Sequence, residues 1–221
     1  MRRNATLLAT LLVTTLVAGS CGGSAGPTAL EPGPILGDCL IEPHYVGQVV
    51  LNRWRSFPLR TLFLEDSFPA ENRARILALI EDGIEAWAEG TGGRIGSVTP
   101  TSVDATADLV IEARELEQAG AFTTHGTGTP YLARARIVFD RETVARLAQM
   151  DDGALLSALA AHEMGHVLGI IGHPQREDVL MFELGPLRPT PADLNTIGHA
   201  YCTSKGHLAP QTGRGATREV S

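Results

Sequence analysis

The chain has no basic patch, no internal repeat, no heptad pattern and only three cysteines, and each shortage narrows the field. Phosphate binding needs clustered Lys and Arg, so a formal charge of −7 at pH 7 argues against a nucleic-acid partner. Without a repeating unit there is no solenoid, and without heptads no coiled coil. Its longest apolar run, residues 5–18, is too short to span a bilayer. What remains is 221 residues, 43% apolar and 19% charged. That is enough for one ordinary domain with a real core.

Arg2 and Arg3 precede the apolar run, and Ala18, Gly19 and Ser20 follow it as a small-residue cleavage site just before Cys21. Residues 1–20 therefore read as a signal peptide. The arrangement also resembles a bacterial lipobox, in which the cysteine becomes the lipidated first residue. An ordinary secretory signal would be cut at the same bond. The expectation is export, either as a cell-envelope lipoprotein anchored through Cys21 or as a secreted or periplasmic protein. Any membrane contact would run only through that lipid. Residues 21–38, rich in Gly, Pro, Ser and Ala, read as a flexible tether. The domain is expected over 39–203, with a polar, aperiodic tail at 204–221 expected to be disordered. If Cys21 carries lipid, Cys39 and Cys202 remain as a pair that an oxidising compartment would bridge, or as two buried thiols.

Within the domain, strands are expected at 59–64, 95–98, 109–111, 121–124 and 135–139. A helix is expected to start near Pro69 behind Ser67, because proline suits a first turn. Ile76, Leu77, Ile80, Ile84 and Trp87 fall on one of its faces, and Gly90 stops it. His125 and the run Gly126 to Pro130 read as an exposed loop, with a place for His125 at the border of a cleft as the alternative. A second helix, capped by Asp151 or Asp152, carries Leu155, Leu156, Leu159, His162 and His166. A last helix begins near Thr190-Pro191 and carries Leu194, Ile197 and Tyr201. This order is α+β with a mixed sheet.

The chemistry concentrates at His162-Glu163-Met164-Gly165-His166. Histidines four apart stand about one helical turn apart on one face, so both imidazoles can meet one ion. Neutral imidazole suits Zn²⁺, and a catalytic zinc takes three protein ligands plus a water. Glu163, next to the first ligand, can reach that water and take its proton. Gly169 allows the left-handed turn that ends the helix, and His173 lies just beyond.

These residues together resemble the signature of the metzincin zinc peptidases, with two helical histidines, a glycine and a third histidine in fixed order. In the family the third histidine stands three residues after the glycine. Here that position is Gly172, and His173 comes one later. Val179-Leu180-Met181-Phe182 resembles the Met-turn of the matrixin branch, in which the methionine forms an apolar floor and does not ligate. The segment from Thr190 to Tyr201 resembles the matrixin C-terminal helix. Ala107 to Ile111 and Arg136 to Asp140 resemble strands of that domain.

The resemblance implies a matrixin-like fold with a twisted, mostly parallel sheet of about five strands, an antiparallel edge strand, an active-site helix, a Met-turn and a C-terminal helix. It also implies a monomeric metalloendopeptidase acting on a peptide or protein substrate. His162, His166 and His173 would hold a single Zn²⁺ over Met181, and Glu163 would activate water. Val138 stands where matrixins have a histidine of a second, structural zinc. Asp140 and Glu142 stand where relatives hold Ca²⁺, although acidic residues at a strand end also serve simply to meet solvent. Other assignments stay open. His199 or His207 is an alternative third ligand, as is a distant glutamate. Cys39 is an alternative fourth ligand. The other functional class is an exported, catalytically inactive domain of the same fold that binds metal or peptide.

Overall fold

A computed structural model describes residues 45–127, 131–182 and 185–201, and the backbone of 219–220. The expected signal segment, the tether, Cys21, Cys39, Cys202 and His207 lie outside the described residues. The elements in chain order are β1 (Val50–Leu51), β2 (Leu59–Phe63), α1 (Arg73–Gly90), β3 (Val98–Pro100), β4 (Leu109–Arg114), β5 (Ala121–Thr127) and β6 (Leu132–Asp140). They continue with α2 (Arg141–Leu147), α3 (Ala154–Leu168), β7 (Ile170–Ile171), α4 (Pro191–Ala200) and β8 (Glu219–Val220).

The fold is α+β. Strands β3, β2, β4 and β6 lie side by side in parallel, and β5 returns antiparallel along β6. Leu109, Val110 and Ile111 are all fully buried on β4, as expected of a parallel strand covered on both faces. A two-residue strand, β8, pairs antiparallel with the outer side of β5, with Thr123 opposite Val220 and Thr124 opposite Glu219. Two residues of the tail expected to be disordered are thus strand, because an open sheet edge offers unpaired N–H and C=O groups.

Helix α1 buries Ile76, Ile80, Ile84 and Trp87, the face read from its periodicity. Its start differs from expectation. Residues 65–67 form a separate 3₁₀ turn and the helix begins at Arg73 behind Asn72, so Pro69 lies outside it. Helix α3 likewise is capped by neither Asp151 nor Asp152. Both have positive φ, 43° and 53°, and belong to a preceding turn, leaving Gly153 at the N-cap. Helix α2 is short and was not anticipated. Asp140 caps it, its Oδ2 accepting from the Thr143 N–H (2.8 Å) and hydroxyl (2.7 Å).

Helix α3 packs between α1 and the sheet, with ten of its 15 residues buried and none exposed. The Trp87 indole N–H donates to the Ala161 carbonyl at 2.7 Å, tying the two helices together. The last carbonyls of α3 have no partner within the helix, and residues outside it supply them. Gly169 N–H donates to His166 O at 2.9 Å. Trp54 Nε1–H donates to Val167 O at 2.7 Å, and Tyr201 O–H to Leu168 O at 2.8 Å. Gly169 has φ 114°, and a Cβ there would strike the Asn52 carbonyl oxygen. Only glycine fits this turn. The chain then forms β7, which pairs antiparallel with β1, and Gly172, at φ 93°, turns it back toward α3.

Candidate metal centre

Three imidazoles converge at the C-terminal half of α3. His173 Nε2 lies 3.0 Å from His162 Nε2 and 3.2 Å from His166 Nε2. One ligand atom from each of the three lies within 4.8 Å of the others, and no other such group of His, Cys, Asp or Glu occurs among the described residues. His166 is buried, and His162 and His173 are half-buried. The group can hold a metal ion. The extra residue before His173 is absorbed by the Ile170–Ile171 strand and the left-handed Gly172, which together bring the ring back over the helix.

Carbonyls fix how the rings face. His162 Nδ1 is 2.9 Å from Leu180 O, and His166 Nδ1 is 2.7 Å from Ile170 O. A carbonyl can only accept, so both Nδ1 atoms carry the proton and each Nε2 presents its lone pair to the centre. Burial holds His166 well below the ordinary histidine range, and the neighbouring His162 adds to this. It is therefore neutral, the form a metal requires.

Glu163 is 4% exposed. Its Oε2 accepts from the Thr123 hydroxyl of β5 at 2.6 Å. Burial pushes its carboxyl up to about 7, against the opposing effect of the Thr123 bond. His125 departs from its reading as an exposed loop residue. It is 5% exposed on β5, which extends through Thr127 along β6. Its Nε2–H donates to His166 O at 2.7 Å, and burial keeps its pKa below the ordinary value.

Beneath the histidines, Met181 is fully buried. A Cβ on Gly165 would strike Met181 Sδ and lie 2.8 Å from the Trp87 ring, so the thioether rests directly on the helix between the two histidines. Asp193, in the first turn of α4, holds the Met181 loop from the other side. It accepts from Leu180 N–H at 2.9 Å and Met181 N–H at 3.4 Å, and from the Tyr45 hydroxyl at 2.6 Å. It also completes a capping box with Thr190.

Thr123 and Asp193 were not singled out as site residues from sequence, and His125 only as a loop histidine that could border the cleft. Thr123 and His125, two apart on a strand, share a face, and Thr190-x-x-Asp193 is a capping signal. Those were the available clues. His199 lies on α4 and does not belong to the three-histidine group. Asp140 and Glu142, considered for calcium, lie at the start of α2, where Asp140 is the cap. Compared with known proteins, the chain matches no family model and no curated protein.

Proposed function

We propose that this chain is a zinc-dependent endopeptidase of the metzincin type, with a matrixin-like domain. The observation that carries the reading is the close approach of three Nε2 atoms whose two helical members are aimed by carbonyl bonds at Nδ1. Three nitrogens around a tetrahedral zinc, with Zn–N bonds of roughly 2.0–2.1 Å, stand about 3.3 Å apart. Separations of 3.0 and 3.2 Å suit that ion, and three neutral imidazoles match its preference. All three come from α3 and the turn after it, which leaves a fourth position for a water or substrate.

Zinc in this place would lower the pKa of a water toward about 7 and polarise a carbonyl. The protein's part belongs to Glu163. Its buried carboxyl, poised near neutrality, takes a proton from the attacking water and returns it to the leaving nitrogen. An extended substrate would lie along β5 and add main-chain hydrogen bonds. The pairing of β8 beside Thr123 and Thr124 is a contact of that kind. An inactive staple site would have no use for a carboxylate beside the first ligand and would fill the fourth position.

The test uses the full chain loaded with zinc, a peptide library, and a chelator control. One zinc per chain is expected, with cleavage that the chelator abolishes. Glu163→Gln should keep the metal and lose cleavage by roughly 10²–10⁴-fold. Bound zinc with no substrate cut, or parental turnover in Glu163→Gln, overturns the proposal.

A further inference from the structure

Thr123 stands apart from the other groups around the centre. It is fully buried on β5, in register with Ile137 of β6, yet its side chain faces α3 and carries a hydroxyl where a core strand would place an aliphatic group. That hydroxyl lies 2.6 Å from Glu163 Oε2 and 3.2 Å from the Glu163 carbonyl oxygen. One hydroxyl has one proton to donate. The shorter contact, to an ionisable oxygen, receives it.

Glu163 would otherwise have several rotamers on the buried face of α3. A single strong bond to one oxygen selects among them and leaves the other oxygen for proton transfer. The partner is on a sheet strand, a rigid element cross-linked along β6, so the position is set by the sheet and not by the helix alone.

We propose that Thr123 is a positioning residue that fixes the Glu163 carboxylate for its role as proton carrier. This rests on the peptidase reading. Valine matches threonine in shape but lacks the donor, and serine keeps it. In the zinc-loaded enzyme, Thr123→Val should lower kcat by roughly 10–100-fold with KM changed less than about twofold, and Thr123→Ser should restore most of the rate. Zinc affinity, measured by chelator competition, should stay within about threefold in both variants, since the Thr123 hydroxyl bonds Glu163, which is not one of the three histidines.

A second measurement does not depend on turnover. With ¹³C-carboxyl glutamate incorporated into the metal-free protein, the Glu163 resonance is assigned by its loss in Glu163→Gln. It should move in Thr123→Val and return in Thr123→Ser. If Thr123→Val does not fold, as judged by circular dichroism, Thr123→Ala takes its place in both measurements. An unmoved resonance, or a serine variant as impaired as the valine one, overturns the assignment. If the wild-type enzyme cuts no peptide while the resonance moves as described, the peptidase reading fails and the Thr123–Glu163 coupling stands.

Discussion

Replacing Gly165 by alanine asks whether Met181 bears directly on the helix that carries His162 and His166. On a solvent-facing helix, Gly→Ala stabilises by about 1 kcal/mol. Here the new methyl would run into Met181 Sδ and come within 2.8 Å of the Trp87 ring. Neither neighbour yields easily, because Met181 and Trp87 are both fully buried and the indole is tethered to Ala161 O. Overpacking of this kind costs about 1–3 kcal/mol. The collision at sulfur argues for the upper end, so the net loss is about 2 kcal/mol after the helix gain. For a domain of this size that lowers Tm by about 4–8 °C. Met181→Ala alone should cost about 2–5 kcal/mol through its cavity. In the double variant the alanine methyl occupies space that the thioether has left. The combined loss should therefore fall short of the sum by about 1–3 kcal/mol. Urea unfolding of the four metal-free proteins closes the cycle, and chelator competition reads the zinc affinity of Gly165→Ala, which should drop. Losses that add within about 0.5 kcal/mol, or a Gly165→Ala protein more stable than the parent, would refute the packing argument.

Two further perturbations probe the same centre. Burial raises the Glu163 carboxyl from its ordinary 4.5 to about 7, so its contribution to folding is fully present below about 4.5 and is lost as pH rises through about 7. At 1.36 kcal/mol per unit this is about 3 kcal/mol in all, of which about 2–3 lies between pH 5 and 8. Urea unfolding of metal-free wild type against Glu163→Gln at those two pH values should show that difference, and parallel profiles would contradict it. Asp193→Ala strips partners from Leu180 N–H, Met181 N–H and the Tyr45 hydroxyl. It should cost about 3–5 kcal/mol, as broken buried networks do, and should weaken zinc binding through the Leu180 carbonyl that orients His162. A Tm within a degree or two of wild type would refute that role.

The α+β class, the apolar face of α1, strands β2, β4, β5 and β6 and the start of α4 at Thr190 were legible, because each rests on local periodicity or capping; β3 instead lies at Val98–Pro100, sharing only Val98 with the expected 95–98. The three histidines were legible because His162 and His166 are bound by helical spacing, and Gly169 and Gly172 could be read as turn residues. What escaped notice depends on tertiary context. The beginnings of α1 and α3 follow from how the preceding turns pack, and local capping preferences at Ser67 and Asp151 did not decide them. His125 looked exposed because glycines follow it, yet pairing with Ala135 carries β5 past it and turns the ring onto α3. Asp140 looked like an acidic strand end and proves to be a cap, since nothing in its immediate sequence announces a helix as short as α2. Thr123 was invisible as a partner of Glu163 because forty residues separate them.

The exit of α3 is held by side chains drawn from both ends of the domain: Trp54 from the front, His125 from the sheet and Tyr201 from behind. A peptide spanning only the helix and its turn would have the right donor atoms but would lack the Leu180 carbonyl that faces His162 and the side chains that hold the helix exit. On the proposed reading, affinity for the ion would therefore depend on the assembly of the whole domain, so that a lesion remote from every imidazole would register as a metal-binding defect.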